Sequence, residues 1–216
     1  MNRRTWLHTL EKTTIRSLNR LRVRLNSINK GWSTADQDLY ISHVTINLLN
    51  IWSNFVRAYY LSCSFSAKSS NGVKVFPSVK FARSSDAIGR AIVKYRPAAT
   101  PNSLGIWHRR DEPTWHDPAV LLTLATDVGL SNINQIVAAL SLGSRVFNDL
   151  PTARNYFGHR NEGTFQAALG ISTYYGIPKR GQRPATLLHT RPLGRPQPLL
   201  LEWIDDIQAT VELLCD

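Results

Sequence analysis

The chain has 216 residues, 43% of them hydrophobic and 19% charged, which fits a globular protein able to bury a core and excludes a disordered one. Its 2 cysteines, Cys63 and Cys215, exclude a disulfide scaffold and a multi-cysteine zinc site. A net charge of +11 favours a polyanionic partner through phosphate neutralisation and counterion release, although a merely basic surface gives the same count.

The excess charge is unevenly placed. Residues 1–30 carry eight bases (Arg3, Arg4, Lys12, Arg16, Arg20, Arg22, Arg24, Lys30) against the single acid Glu11. Residues 177–198 carry Lys179, Arg180, Arg183, Arg191 and Arg195 and no acid. Residues 199–216 carry Glu202, Asp205, Asp206, Glu212 and Asp216 and no base. This distribution predicts either opposed faces or an acidic tail docked on a basic helix.

In chain order, Leu7, Leu10, Leu18, Leu21, Leu25 and Ile28 form one apolar stripe on a long first helix that Gly31 ends. Ser33 or Thr34 caps a second helix, with Asp36 or Gln37 as capping-box partner. Its broad apolar face from Leu39 to Tyr59, His43 included, predicts a central core helix to about residue 62 with a packed, satisfied histidine. Residues 63–84 are weakly patterned and Pro77 favours a loop over a strand pair. A short helix starts at Ser85 and ends at Pro97, and residues 97–116 form a loop carrying Trp107 and Trp115. Asp117 and Pro118 open the next helix, which Gly129 stops, and Ser131 caps the segment after it. A further helical stretch runs from Arg145 through Pro151 towards Gly176. Three glycines (Gly176, Gly181, Gly194) and five prolines (Pro178, Pro184, Pro192, Pro196, Pro198) make 176–198 a long basic loop, and Pro198 leads into a last amphipathic helix. The expectation is a single all-α domain over residues 1–216.

Several chemistries have no sequence support. There is no phosphate-binding glycine loop, no His-Glu-x-x-His, no Cys-x-x-Cys and no Gly-x-Ser-x-Gly. The six histidines, at 8, 43, 108, 116, 159 and 189, make no metal cluster by spacing, so neither metal nor cofactor is expected. No apolar run is long enough to span a membrane, and MNRRTWLHTLEK has no apolar signal core, so a cytoplasmic protein without membrane contact is expected.

One segment concentrates reactive side chains. Leu150-Pro-Thr-Ala-Arg-Asn-Tyr-Phe-Gly-His-Arg-Asn161 holds Arg154, Asn155, His159 and Arg160 within seven residues. Cleaving a phosphodiester requires a base for the 2′-hydroxyl proton and a cation for the strained phosphate. A histidine, with its ordinary pKa of ~6.5, can do the first, and an arginine fork the second. Asn155 can hold the phosphate or orient the histidine. A solvated Arg/His helix surface would look the same in sequence.

The run Arg154-Asn-Tyr-Phe-Gly-His159 resembles the Arg-x(4–6)-His motif of HEPN domains, whose arginine is often followed by Asn. The resemblance covers the motif and the helical layout over most of the chain. It implies an all-α HEPN-like bundle, here with a long insertion (63–116) and a basic loop (177–198) before the C-terminal helix. It further implies a metal-independent endoribonuclease of a prokaryotic toxin–antitoxin or antiviral defence system. Arg154 and His159 would be the catalytic pair and Asn155 the polar accessory. Arg160, Lys179, Arg180, Arg183, Arg191 and Arg195 would offer phosphate contacts to RNA. An antitoxin or defence-complex subunit is an implied partner.

Positions five apart on a straight helix point about 140° apart, so Arg154 and His159 do not share a face unless Gly158 relaxes the turn. The other solution is a homodimer whose two motifs meet near residues 150–162, as HEPN ribonucleases usually arrange. A competing pattern, Leu124-Ala-Thr-Asp-Val-Gly-Leu-Ser131 before Ile133, Ile136 and Val137, resembles a helix-turn-helix, yet Asn132–Leu142 contains no Lys or Arg. The alternative function is therefore a non-catalytic nucleic-acid-binding protein, either such a regulator or a scaffold HEPN subunit.

Overall fold

Apolar residues at helical spacing, interrupted by glycine and proline, leave this chain few choices besides helices joined by tight turns. The computed structural model describes residues 6–28, 31–179 and 181–216, and among them there are nine α-helices and no β-strand. In chain order these are α1 (Leu7–Asn26), α2 (Thr34–Ser64), α3 (Ser84–Tyr95), α4 (Pro118–Val128), α5 (Ile133–Leu140), α6 (Val146–His159), α7 (Glu162–Gly170), α8 (Pro184–His189) and α9 (Leu199–Cys215). The all-α expectation holds. No helix among the described residues is long and apolar enough to cross a membrane.

The chain divides into two compact units, each built from segments distant in sequence. The first takes residues up to Thr14, then Ser53–Leu142 and Thr210–Asp216; the second takes Ile15–Trp52 and Gly143–Ala209.

In the first unit, Val56, Tyr59, Tyr60, Ile92, Leu121, Leu124, Ile136 and Leu214 are buried, each contributing about 1.5–3 kcal/mol if its apolar side chain is fully removed from water. Asp117 caps α4 by accepting the Ala119 N–H at 2.9 Å, with Pro118 in the first turn. Gly129 ends that helix with φ of +63°, and a β-carbon there would also stand 2.7 Å from the Ser78 hydroxyl. Ser131, expected as the next cap, instead accepts the Phe76 N–H at 3.1 Å, and Asn132 takes the cap position of α5. The segment after α2 is irregular, with isolated bridges such as Lys68 to Lys74, as its weak pattern predicted.

The 97–116 loop is pinned by charge. Arg57 on α2 grips Glu112 with two hydrogen bonds of 2.6 and 2.9 Å, and Trp115 Nε1 donates to the same carboxylate at 2.7 Å. Burial pushes this carboxyl up, but the Arg57 and Trp115 hydrogen bonds outweigh it and hold Glu112 below the usual carboxylate range.

In the second unit, Leu18, Leu21, Leu25, Leu48, Trp52, Leu150, Leu187, Trp203 and Ile204 are buried. Ser33 caps α2 as expected, its Oγ accepting the Asp36 N–H at 3.1 Å and donating to the Asp36 carboxylate at 2.6 Å. His43 differs from expectation: Ile41, Val44 and Leu48 are buried, while His43 faces solvent and meets Arg24 Nη1 at 2.7 Å. The buried stripe is narrower than the run of apolar letters, and Leu39 is exposed with it. The basic 177–198 segment is not wholly a loop. Pro184 sits in the first turn of the six-residue α8, where its fixed φ suits a helix start, and Ala185, Leu187 and Leu188 are buried. The acidic tail is docked through Asp205, whose carboxylate pairs with Arg22 of α1, while Gln208 accepts from the same guanidinium at 3.2 Å.

Candidate functional site

The Arg-x(4)-His run lies on one continuous helix. Val146, Leu150, Ala153 and Phe157 form the buried stripe of α6, so packing orients every other residue on it. Tyr156 stacks edge-on with Phe157 at 5.1 Å and faces Phe165 of α7 at 5.8 Å, tying the end of α6 to the next helix. The helix stops at Arg160, which adopts the left-handed conformation (φ +44°) and gives its N–H to the Tyr156 carbonyl at 2.7 Å. Asn161 then caps α7 through the Thr164 N–H at 2.9 Å, and Thr164 Oγ1 returns a bond to the Asn161 N–H at 3.2 Å.

Gly158 remains helical, so it does not relax the turn before His159. Arg154 and His159 leave the helix about 140° apart, whereas Asn155 and His159, four apart, share a face. Arg154 is half-buried and runs along the helix towards Gly158, its Nη1 3.4 Å from where a β-carbon would stand. Asn155, His159 and Arg160 are exposed. None of the four makes a side-chain hydrogen bond or ion pair with another described residue.

The basic loop divides differently from expectation. Arg183 is engaged with Asp38 at 2.8 Å, and Arg195 with Glu202 at 3.3 Å. Arg195 also lies 5.9 Å from the Tyr175 ring. Lys179 and Arg191 are exposed without an ion pair among the described residues, and Arg180 lies outside those residues. His189 is half-buried, and that burial holds its pKa below the ordinary value. Of the phosphate-binding candidates, Arg160, Lys179 and Arg191 are thus the uncommitted ones.

A polar network upstream on α6 is almost silent in the sequence. Asp149, 4% exposed, takes two bonds from Arg145 at 3.2 and 3.3 Å and one from the Tyr175 hydroxyl at 3.3 Å. Trp203 Nε1 donates to that hydroxyl at 3.2 Å, and the Arg145 guanidinium sits 4.4 Å from the Tyr174 ring. Burial holds the Tyr175 phenol protonated well past its usual range. This network fixes the first turns of α6 and therefore the direction in which its last turn points. Only the Arg145–Asp149 pair, four residues apart, was open to reading from the chain. Nearby, Glu202 is held above the usual carboxylate range by burial, and Asp206 and Asp205 add to the rise.

Among the described residues, no three His, Cys, Asp or Glu side chains converge as a metal-binding group. Comparison with known protein families, curated proteins and solved structures finds no match to this chain.

Proposed function

We propose that the protein is an endoribonuclease of HEPN type, cutting RNA by attack of a 2′-hydroxyl on the adjacent phosphate, with Arg154, Asn155 and His159 as its catalytic residues. One observation carries the reading. Where most of the unit's acids are paired or capped, the last turn of α6 keeps Arg154, Asn155, His159 and Arg160 uncommitted and open to a ligand. Arg160 adds a second argument. A left-handed residue at a helix end is cheapest as glycine, and an arginine kept there costs about 1 kcal/mol that a purely structural corner does not require.

In this mechanism His159 removes the proton of the 2′-hydroxyl, and the oxygen attacks phosphorus. Arg154 holds the non-bridging oxygens as negative charge gathers on them. The 5′-oxygen leaves and takes up a proton from solvent, giving a 2′,3′-cyclic phosphate and a 5′-hydroxyl. Because Arg154 and His159 diverge on one helix, each site combines Arg154 of one copy with His159 of another in a homodimer. A toxin–antitoxin or antiviral role, in the cytoplasm of a prokaryotic cell, with an antitoxin or defence-complex partner, belongs to the same proposal.

The test is incubation of purified protein with mixed RNAs and DNAs in a chelator, beside the Arg154→Ala/His159→Ala variant. RNA cut by the wild type alone supports the reading. RNA bound and left intact supports instead a non-catalytic nucleic-acid-binding protein.

A further inference from the structure

The basic first helix is not used up by the acidic tail. On α1, Arg22 turns inward to Asp205 and Gln208, whereas Arg16, Arg20 and Arg24 recur every fourth residue on an exposed face. Four residues of α-helix rise about 6 Å, so three guanidinium groups are set out in line over about 12 Å. With Asn19 and Val23 they border a surface depression of about 440 Å³. Arg16 and Arg20 make no ion pair with any described residue. Arg24 contacts His43 at 2.7 Å, and since an arginine is always charged and donates, the imidazole accepts there and leaves the guanidinium's charge unneutralised.

The geometry points to this face of α1 as a track for the phosphate backbone of single-stranded RNA, separate from the last turn of α6. Phosphates suit it because each guanidinium offers a planar fork of donors, and because displaced counterions make every such contact favourable at low salt. A membrane suits it less. The apolar stripe of α1, Leu7, Leu18, Leu21 and Leu25, is already buried, and among the described residues Val23, at 71% exposure, is the one apolar side chain at the depression. A protein partner suits it less for the same reason, since among the described residues no aromatic or large aliphatic anchor stands beside the arginines. This surface shares with the proposed cleavage site its ligand and not its chemistry.

The experiment measures binding of a 2′-O-methyl RNA 20-mer, which no 2′-hydroxyl attack can cut, across a salt series. The proteins compared are the wild type, Arg16→Ala/Arg20→Ala and Arg16→Lys/Arg20→Lys. Loss of two phosphate contacts should weaken binding at low salt by about tenfold or more and flatten the log–log salt slope by about 1.4. The lysine variant, which keeps both charges, should retain most of the slope. Unchanged affinity and slope in the alanine variant would overturn the assignment. So would arginine-dependent binding to phosphatidylserine/phosphatidylcholine vesicles without binding to the oligonucleotide. Cleavage of ordinary RNA, assayed alongside, separates the two ideas. A slope that flattens in a protein that cuts nothing retires the ribonuclease and keeps the track; cleavage with an unmoved slope does the reverse.

Discussion

The Arg154 guanidinium passes over Gly158, with Nη1 3.4 Å from the place a β-carbon would take. Gly158 is exposed and helical, so alanine there should stabilise the fold by about 0.5–1 kcal/mol. The methyl group would stand in van der Waals contact with the flexible end of Arg154 and leave it fewer postures. Gly158→Ala should therefore unfold at higher denaturant concentration while cleaving RNA severalfold more slowly. Paired melts and single-turnover rates measure both; a stabilised enzyme of undiminished rate would mean that the posture of Arg154 is immaterial.

Arg154→Ala and His159→Ala should each slow RNA cleavage by about a hundredfold or more, since each removes either charge stabilisation or proton transfer. Neither change should unfold the protein, because neither side chain bonds to another described residue. Rates from variants with wild-type circular dichroism check this. Wild-type cleavage by folded His159→Ala would remove the residue from the mechanism.

The divergence of the two side chains on α6 makes a sharper prediction about assembly. If one copy supplies the arginine and the other the histidine, mixing inactive Arg154→Ala with inactive His159→Ala should rebuild one complete site in each mixed dimer. Random exchange then restores roughly a quarter of the wild-type sites. Activity that stays at zero after proven subunit exchange would place both residues of a site on the same chain.

Much of this architecture is readable from the chain and some is not, for physical reasons. The Ser33–Asp36 cap, the Asp117–Pro118 start and the Gly129 stop are local, three- or four-residue chemistry, and each sits where the pattern says. Helix α8 is hidden because six residues between prolines give no period to detect. His43 misleads because apolar neighbours widen a stripe that packing then narrows. The Asp149–Tyr175–Trp203 network joins residues 26 and 28 positions apart, and no spacing rule reaches that far. At the candidate site, sequence proposes the residues, but only the folded structure separates Arg160, Lys179 and Arg191 from Arg183 and Arg195, which acids already hold.

The Arg57–Glu112 pair predicts an acid limb in the stability curve. Glu112 is held below its ordinary pKa in the folded protein, so the unfolded chain takes up its proton first as pH falls. Its contribution is present above the ordinary carboxylate value of 4.5 and is lost as pH drops through the lower folded value. Glu112→Gln should cost about 2 kcal/mol near neutrality and remove this part of the pH dependence. Chemical denaturation at pH 7 and at pH values below 4.5 measures it. An unchanged acid limb in the glutamine variant would mean that other carboxylates set it.

Replacing Arg160 by glycine should relieve the left-handed strain and stabilise the protein by up to about 1 kcal/mol, while weakening RNA binding. Stability that rises with no loss of binding would make the arginine incidental to the ligand.

The most direct measurement of the central claim uses one RNA, cut by the wild-type protein in a chelator, and the same RNA with a single 2′-deoxy residue at the cut site. The first should be cleaved to a 2′,3′-cyclic phosphate and a 5′-hydroxyl, and the second bound and left whole at that position. Equal cleavage of the two would contradict the claim, since the attacking oxygen would then come from elsewhere.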